Sequence, residues 1–114
     1  MLNDSSLLDR TFQALADPTR RGMLARLSRG PASVSDLARP LAMSLPAVLQ
    51  HLQALEASGL VKSAKKGRVR TVRIETAAMG AAERWFAEQR SLWEARADRL
   101  EDYLATLQDE GEKE

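Results

Sequence analysis

The residues best equipped for chemistry in this 114-residue chain lie in two neighbouring stretches. Residues 60–74 carry Lys62, Lys65, Lys66, Arg68, Arg70 and Arg73 and no acid. Cations this close repel one another unless an anion neutralises them, so the run points to a phosphate-bearing partner. A charged strand edge that blocks aggregation is the plainer account, and it explains one or two cations better than the whole set. Just upstream, Ser44-Leu45-Pro46-Ala47-Val48-Leu49-Gln50-His51 opens with a hydroxyl and a first-turn proline, as helices do. Ser44 and the free N–H groups of such a helix start can hold a phosphate. The Gln50 amide can pair with adenine N6 and N7, His51 can donate to a phosphate or a base, and Leu45 or Ala47 can touch a thymine methyl. The plainer account makes all of them ordinary surface positions.

Catalytic and metal chemistry find no comparable footing. The chain has no Cys and a single His. That excludes disulfides, thiolate sites and a four-ligand zinc site built from the Cys and His of one protomer. Neither a Ser-His-Asp arrangement nor a Gly-rich phosphate loop occurs, so no enzyme, no cofactor and no metal are expected. A formal net charge of +1 conceals an asymmetry. Residues 1–75 hold 12 Lys/Arg and 6 Asp/Glu, whereas residues 76–114 hold 5 and 10. Charge divided in this way is a pointer to nucleic acid or membrane. Apolar runs are broken by charge or Pro well short of the ~20 residues a membrane span needs. Residues 1–10 lack the basic start and apolar core of a signal peptide, so a cytoplasmic location without a membrane partner is expected.

The elements that must position these groups follow from periodicity and caps. Residues 5–16 present Leu7, Leu8, Phe12, Leu15 and Ala16 at helical spacing, with Ser5 or Ser6 as cap. Asp17-Pro18 starts a second helix that runs to about Arg29, buries Met23, Leu24 and Leu27, and stops at Gly30-Pro31. Arg20 and Arg21 in its first turn oppose the helix dipole, and either face phosphate or bridge to an acid. Ser33 caps a third helix that Pro40 keeps short. Ser44 caps a fourth, which runs to about Ser58 with Val48, Leu49, Leu52 and Leu55 buried and Gly59 as its C-terminal cap. Residues 60–65 and 68–74 read as a hairpin turning at Lys66-Gly67. Thr76 caps a long last helix, after which residues 109–114 form a polar, frayed tail. Residues 1–108 thus read as one mainly α domain with a small β-hairpin. Helices three and four, about three residues apart, form a helix-turn-helix whose second member enters the major groove.

At this point ALADPTRRGML (14–24), PASVSDLARPLAMSLPAVLQHLQALEASGLV (31–61) and the basic KKGR turn (65–68) resemble the ArsR-type winged helix-turn-helix repressors. The segment WFAEQRSLWEARADRLEDYL (85–104) resembles a subgroup without the usual metal-binding motifs. The resemblance implies a homodimer paired through its first and last helices that represses its own operon until an inducer releases it. Metal-sensing members often open the third helix with Cys-x-Cys; here Ser33 and Ser35 stand there, and the last helix holds no His.

The last helix argues for a dimer independently. Trp85, Phe86, Leu92, Trp93, Leu100, Tyr103, Leu104 and Leu107 offer more apolar surface than three short helices and a hairpin can cover. Pairing with Leu8, Phe12 and Leu15 of the first helix and with a symmetry mate would bury it. Two-fold symmetry implies a palindromic operator in double-stranded DNA. Trp85 and Trp93 as protomer core, or as an aromatic cleft for a small effector, are the alternatives. A non-specific architectural DNA binder and a protein-interaction module that keeps the fold are the competing functions.

Overall fold

The computed structural model describes residues 4–112. Five helices and three strands follow in the order α1 (Asp4–Leu15), α2 (Pro18–Leu27), β1 (Ala32–Ser33), α3 (Val34–Ala38), α4 (Leu45–Ala57), β2 (Val61–Lys66), β3 (Val69–Ile74) and α5 (Ala77–Glu112). They divide into two compact units, one up to Ala82 and one from Glu83 onward, both crossed by α5. The sequence reading places a single domain over 1–108. The charge asymmetry follows the division into units, because residues 76–82 carry no charged side chain.

Local signals account for most boundaries of the first unit. The Asp17 carboxylate accepts hydrogen bonds from the N–H of Thr19 (2.8 Å) and Arg20 (3.1 Å), with Pro18 in the first turn. Ser33 Oγ accepts from the Asp36 N–H at 3.0 Å, and Ser44 Oγ from the Ala47 N–H at 3.3 Å. Each cap satisfies donors that a helix start leaves unpaired. At the other end of α4 the Leu60 N–H bonds to the Leu55 carbonyl and the Gly59 N–H to that of Glu56. Gly59 has φ +80°, so this is a Schellman ending, and Leu55 and Leu60 are both buried beside it. The cap therefore delivers the chain straight into β2. The core beneath includes Met23, Leu24, Leu27, Leu37, Val48, Leu52, Leu55, Leu60, Val61 and Val72, with Ala14 and Ala32 among them and Ala78 and Met79 of early α5 packed on its edge. Among the described residues the buried hydroxyls are satisfied locally: Thr11 Oγ1 donates to the Leu7 carbonyl and Ser58 Oγ to that of Leu55.

Several sequence expectations give way. The hairpin is part of a three-stranded antiparallel sheet in the order β1-β3-β2, with Ala32 opposite Val72 and Ser33 opposite Thr71. β1 is only two residues long and carries no period to read. The turn falls at Gly67-Arg68, one residue later than expected, because Lys66 pairs with Val69. Gly67 has φ +64° in the first loop position, as a type II′ turn requires. Ser5 and Ser6 lie inside α1, which already includes Asp4. The apolar face of α1, Leu7, Leu8, Phe12 and Leu15, is half-buried as it stands, and among the described residues Thr11 and Ala14 of this helix are buried. Leu49 is 37% exposed and does not belong to the core, since it lies about 100° around the helix from Val48.

The second unit is helix alone, residues 83–112 of α5. With 36 residues, α5 is about 54 Å long. It continues to Glu112, where a frayed tail is expected from 109; residues 113 and 114 lie outside the described residues. Trp93 is 65% exposed, and Trp85, Phe86, Leu92, Leu100, Tyr103, Leu104 and Leu107 are exposed with it. Trp85 and Phe86 meet edge to face, with ring centroids 5.2 Å apart.

Candidate nucleic-acid interface

The helix-turn-helix is α3 and α4, joined by residues 39–44. Ser44 sets the start of α4, and Val48, Leu52 and Leu55 pin its inner face to the core. What remains outward is a stripe at helical spacing: Leu45, Leu49, Gln50, Gln53 and Glu56 are exposed. Of the residues singled out in sequence, Ser44, Leu45 and Gln50 are exposed and Ala47 is half-buried. Gln53 follows Gln50 by three residues on the same face, so helical period alone identifies it as a further candidate.

His51 has a different neighbourhood. It is half-buried, and its charge is one of the influences that hold the Asp17 carboxyl below its ordinary value. The hydrogen bond from the Arg20 N–H is the largest of these, and burial opposes it. His51 thus lies within electrostatic reach of the cap of α2. Arg20 and Arg21 each place one guanidinium nitrogen on the end of α1, and the positive charge of Arg20 also acts on Asp17. Arg20 Nη2 donates to the Gln13 carbonyl at 3.3 Å and Arg21 Nη1 to the Leu15 carbonyl at 2.6 Å. Arg21 thus caps a carbonyl at the end of α1, while the Gln13 carbonyl takes Arg20 in addition to the Ala16 N–H at 3.3 Å.

The strand pleat divides the hairpin cations into two sets. Lys65 lies opposite Arg70, and Ser63 opposite Val72, so Lys65 and Arg70 share the face that carries buried Val61 and Val72. Lys62, Lys66 and Arg73 occupy the other face, and Arg68 sits in the turn. Acids also approach this run from outside it. Arg73 pairs with Glu75 at 2.8 Å. Arg70 Nη1 donates to Ser63 Oγ at 3.0 Å, and Ser63 Oγ donates to Glu56 of α4. Lys65, Arg68 and Arg70, with Val69, form one wall of an open groove of about 710 Å³. Leu45 and Leu49 of α4 form a second wall, and Ser33, Ser35, Asp36 and Arg39 around α3 close it. Ser35 and Arg39 are groove residues that sequence reasoning missed; Arg39 is held to Asp36 at 3.0 Å. The groove thus joins the outer stripe of α4 to the basic turn of the hairpin, all within the first unit. Among the described residues, no three His, Asp or Glu side chains converge as metal ligands, and no helix is long and apolar enough to cross a membrane.

Residues 15–64 match a helix-turn-helix domain family. The HTH-type transcriptional regulator Rv2034 of Mycobacterium tuberculosis is 44% identical over 73 residues, which is 64% of this chain and 68% of that protein. The transcriptional repressor SdpR of Bacillus subtilis is 31% identical over 61 residues, 54% of this chain and 68% of SdpR. Among solved structures, the crystal structure of an ArsR family transcriptional regulator superposes with a TM-score of 0.77 at 53% identity, covering 82% of this chain and 97% of that one. A homodimeric winged helix-turn-helix DNA-binding domain, Mb0332 of Mycobacterium bovis, superposes with a TM-score of 0.59 at 30% identity, covering 75% and 82%. The order of helices and strands, the groove between α4 and the hairpin, and these likenesses lead to one conclusion: the chain belongs to the ArsR family of winged helix-turn-helix DNA-binding transcriptional regulators.

Proposed function

We propose that the chain represses transcription by binding a palindromic operator as a homodimer. α4 enters the major groove, where Gln50 and Gln53 reach base edges and Leu45 and Leu49 meet thymine methyls. The N-terminus of α4, with Ser44, takes a phosphate. Lys65 and Arg68 of the wing take the flanking backbone. The observation that carries this reading is the groove itself, which unites the exposed stripe of α4 with the basic turn of the hairpin. The dimer forms through the apolar faces of α1 (Leu8, Phe12, Leu15) and α5 (Trp85, Leu92, Trp93, Leu100, Tyr103, Leu104), which the protomer leaves half-buried or exposed. The homodimeric state of Mb0332 supports it, and the likeness to the repressor SdpR supports repression over activation. The protein works in the cytoplasm by binding rather than by catalysis.

Selection of bound sequences from random duplexes tests the reading. A two-fold symmetric consensus with half-sites about one helical turn apart is expected. Equal retention of every duplex would instead make the chain an architectural binder.

A further inference from the structure

Glu56 is the one acid on α4, and it lies on the exposed stripe proposed to meet DNA. A carboxylate facing phosphates weakens binding unless it has another task. Its carboxylate accepts from Ser63 Oγ, whose lone pair accepts from Arg70 Nη1 at 3.0 Å. A hydroxyl has one proton to give, and here it goes to the carboxylate, so the relay runs one way, from guanidinium through hydroxyl to carboxylate. Ser63 and Arg70 are diagonal neighbours on one face of the β2–β3 pair, and Glu56 is in the last turn of α4. Arg70 also stands at a junction. It lines the groove with Lys65 and Arg68, and it lines a smaller recess of about 280 Å³ with Glu56, Gln53 and Leu49.

We propose that Glu56 and Ser63 are positioning residues whose relay ties the wing to α4 and withholds Arg70 from DNA phosphate, so that discrimination between operator and unrelated DNA depends on them. The inference rests on the proposed reading of α4 and the wing as the DNA face. Phosphate contacts add affinity to every sequence alike, whereas a fixed angle between reading helix and wing favours only duplexes whose grooves match it. An arginine held in the relay contributes to the second quantity at the expense of the first.

The test measures affinity for the selected operator and for a scrambled duplex over a salt series, using the full chain. Arg68→Ala is the control for the face: the slope of log K against log salt should flatten by about one unit on both duplexes. Arg70→Ala should leave the slope unchanged and reduce discrimination by roughly three- to tenfold. Glu56→Ala and Ser63→Ala release Arg70, so the slope should steepen by up to about one unit while discrimination falls. That steepening should disappear in Glu56→Ala/Arg70→Ala, which separates release of Arg70 from simple removal of a negative charge. Ser63→Thr keeps the hydroxyl and should behave as the parent protein. If Arg68→Ala and Arg70→Ala flatten the slope equally, Arg70 is a phosphate contact and the relay proposal is overturned while the DNA face stands. If Arg68→Ala leaves the slope unchanged, the DNA face itself is wrong and the relay falls with it.

Discussion

Asp17 and Gly59 illustrate how much single residues decide here. The Asp17 carboxyl lies below its ordinary value, first because the Arg20 N–H donates to it, then through the Thr19 N–H and nearby positive charge, against the opposing effect of burial. A depressed carboxylate adds stability that is present above the unfolded-state value and lost as pH falls through the folded-state value. Urea unfolding across pH should therefore show Asp17→Asn less stable than the parent at neutral pH. The gap should close as the medium is acidified below about pH 4, where the parent carboxyl becomes protonated. A gap independent of pH would remove the charge from this account. At Gly59 the constraint is conformational. Its φ of +80° is hostile to a Cβ, although an added Cβ would meet Ala78 only at an ordinary 3.4 Å. Gly59→Ala should cost about 1 kcal/mol in thermal unfolding, and Gly59→Asn less, because asparagine tolerates that region better.

Among the elements, α4 was the most legible in sequence, and its cap is the place to test it. Ser44→Ala removes the acceptor for the Ala47 N–H and should cost about 1 kcal/mol of stability, read as a lowered denaturation midpoint. Caps at Asp17, Ser33, Ser44 and Gly59 could be read because each acts within a few residues of itself. β1 could not: Ala32 finds its partner at Val72, and two residues hold no alternation to betray a strand. Leu49 was misread because an apolar residue beside Val48 looks like core until the turn of the helix carries it outward. The wing was legible as charge but not as geometry. Sequence gave the cations a common role, whereas the pleat sends Lys65 and Arg70 to one face and Lys62, Lys66 and Arg73 to the other. The relay through Ser63 to Glu56 joins residues whose types announce nothing; only the register and the end of α4 bring them together.

For the molecule as a whole, the long α5 carries the consequence. Its exposed Trp93 and Leu100 are far more apolar surface than a lone helix keeps in water without a partner. Trp93→Glu combined with Leu100→Glu should convert a dimer to monomers in sedimentation, with the protomer's helix content retained, because neither side chain belongs to the buried core. Operator affinity should fall by more than about tenfold, since a single protomer reads half a palindrome. A variant that still sediments as a dimer would place the interface elsewhere. The same segment concentrates acid: from Glu101 to Glu112 it holds Glu101, Asp102, Asp109, Glu110 and Glu112 and no Lys or Arg. It is therefore the part of the chain least suited to lie along a phosphate backbone.

Ala32 and Ser33 form β1, and α3 begins at the next residue with Ser33 as its cap. Sheet edge and helix start share a residue, with no loop between them to absorb an insertion. One extra residue at this junction would either slide Ala32 off Val72 or rotate α3 by about 100° relative to the strand. Either change would displace Ser33, Ser35 and Asp36 from the rim of the groove. Homologous chains drifting in length should do so in the stretch between α3 and α4 or beyond the end of α5, and leave the boundary between Ala32 and Val34 free of gaps.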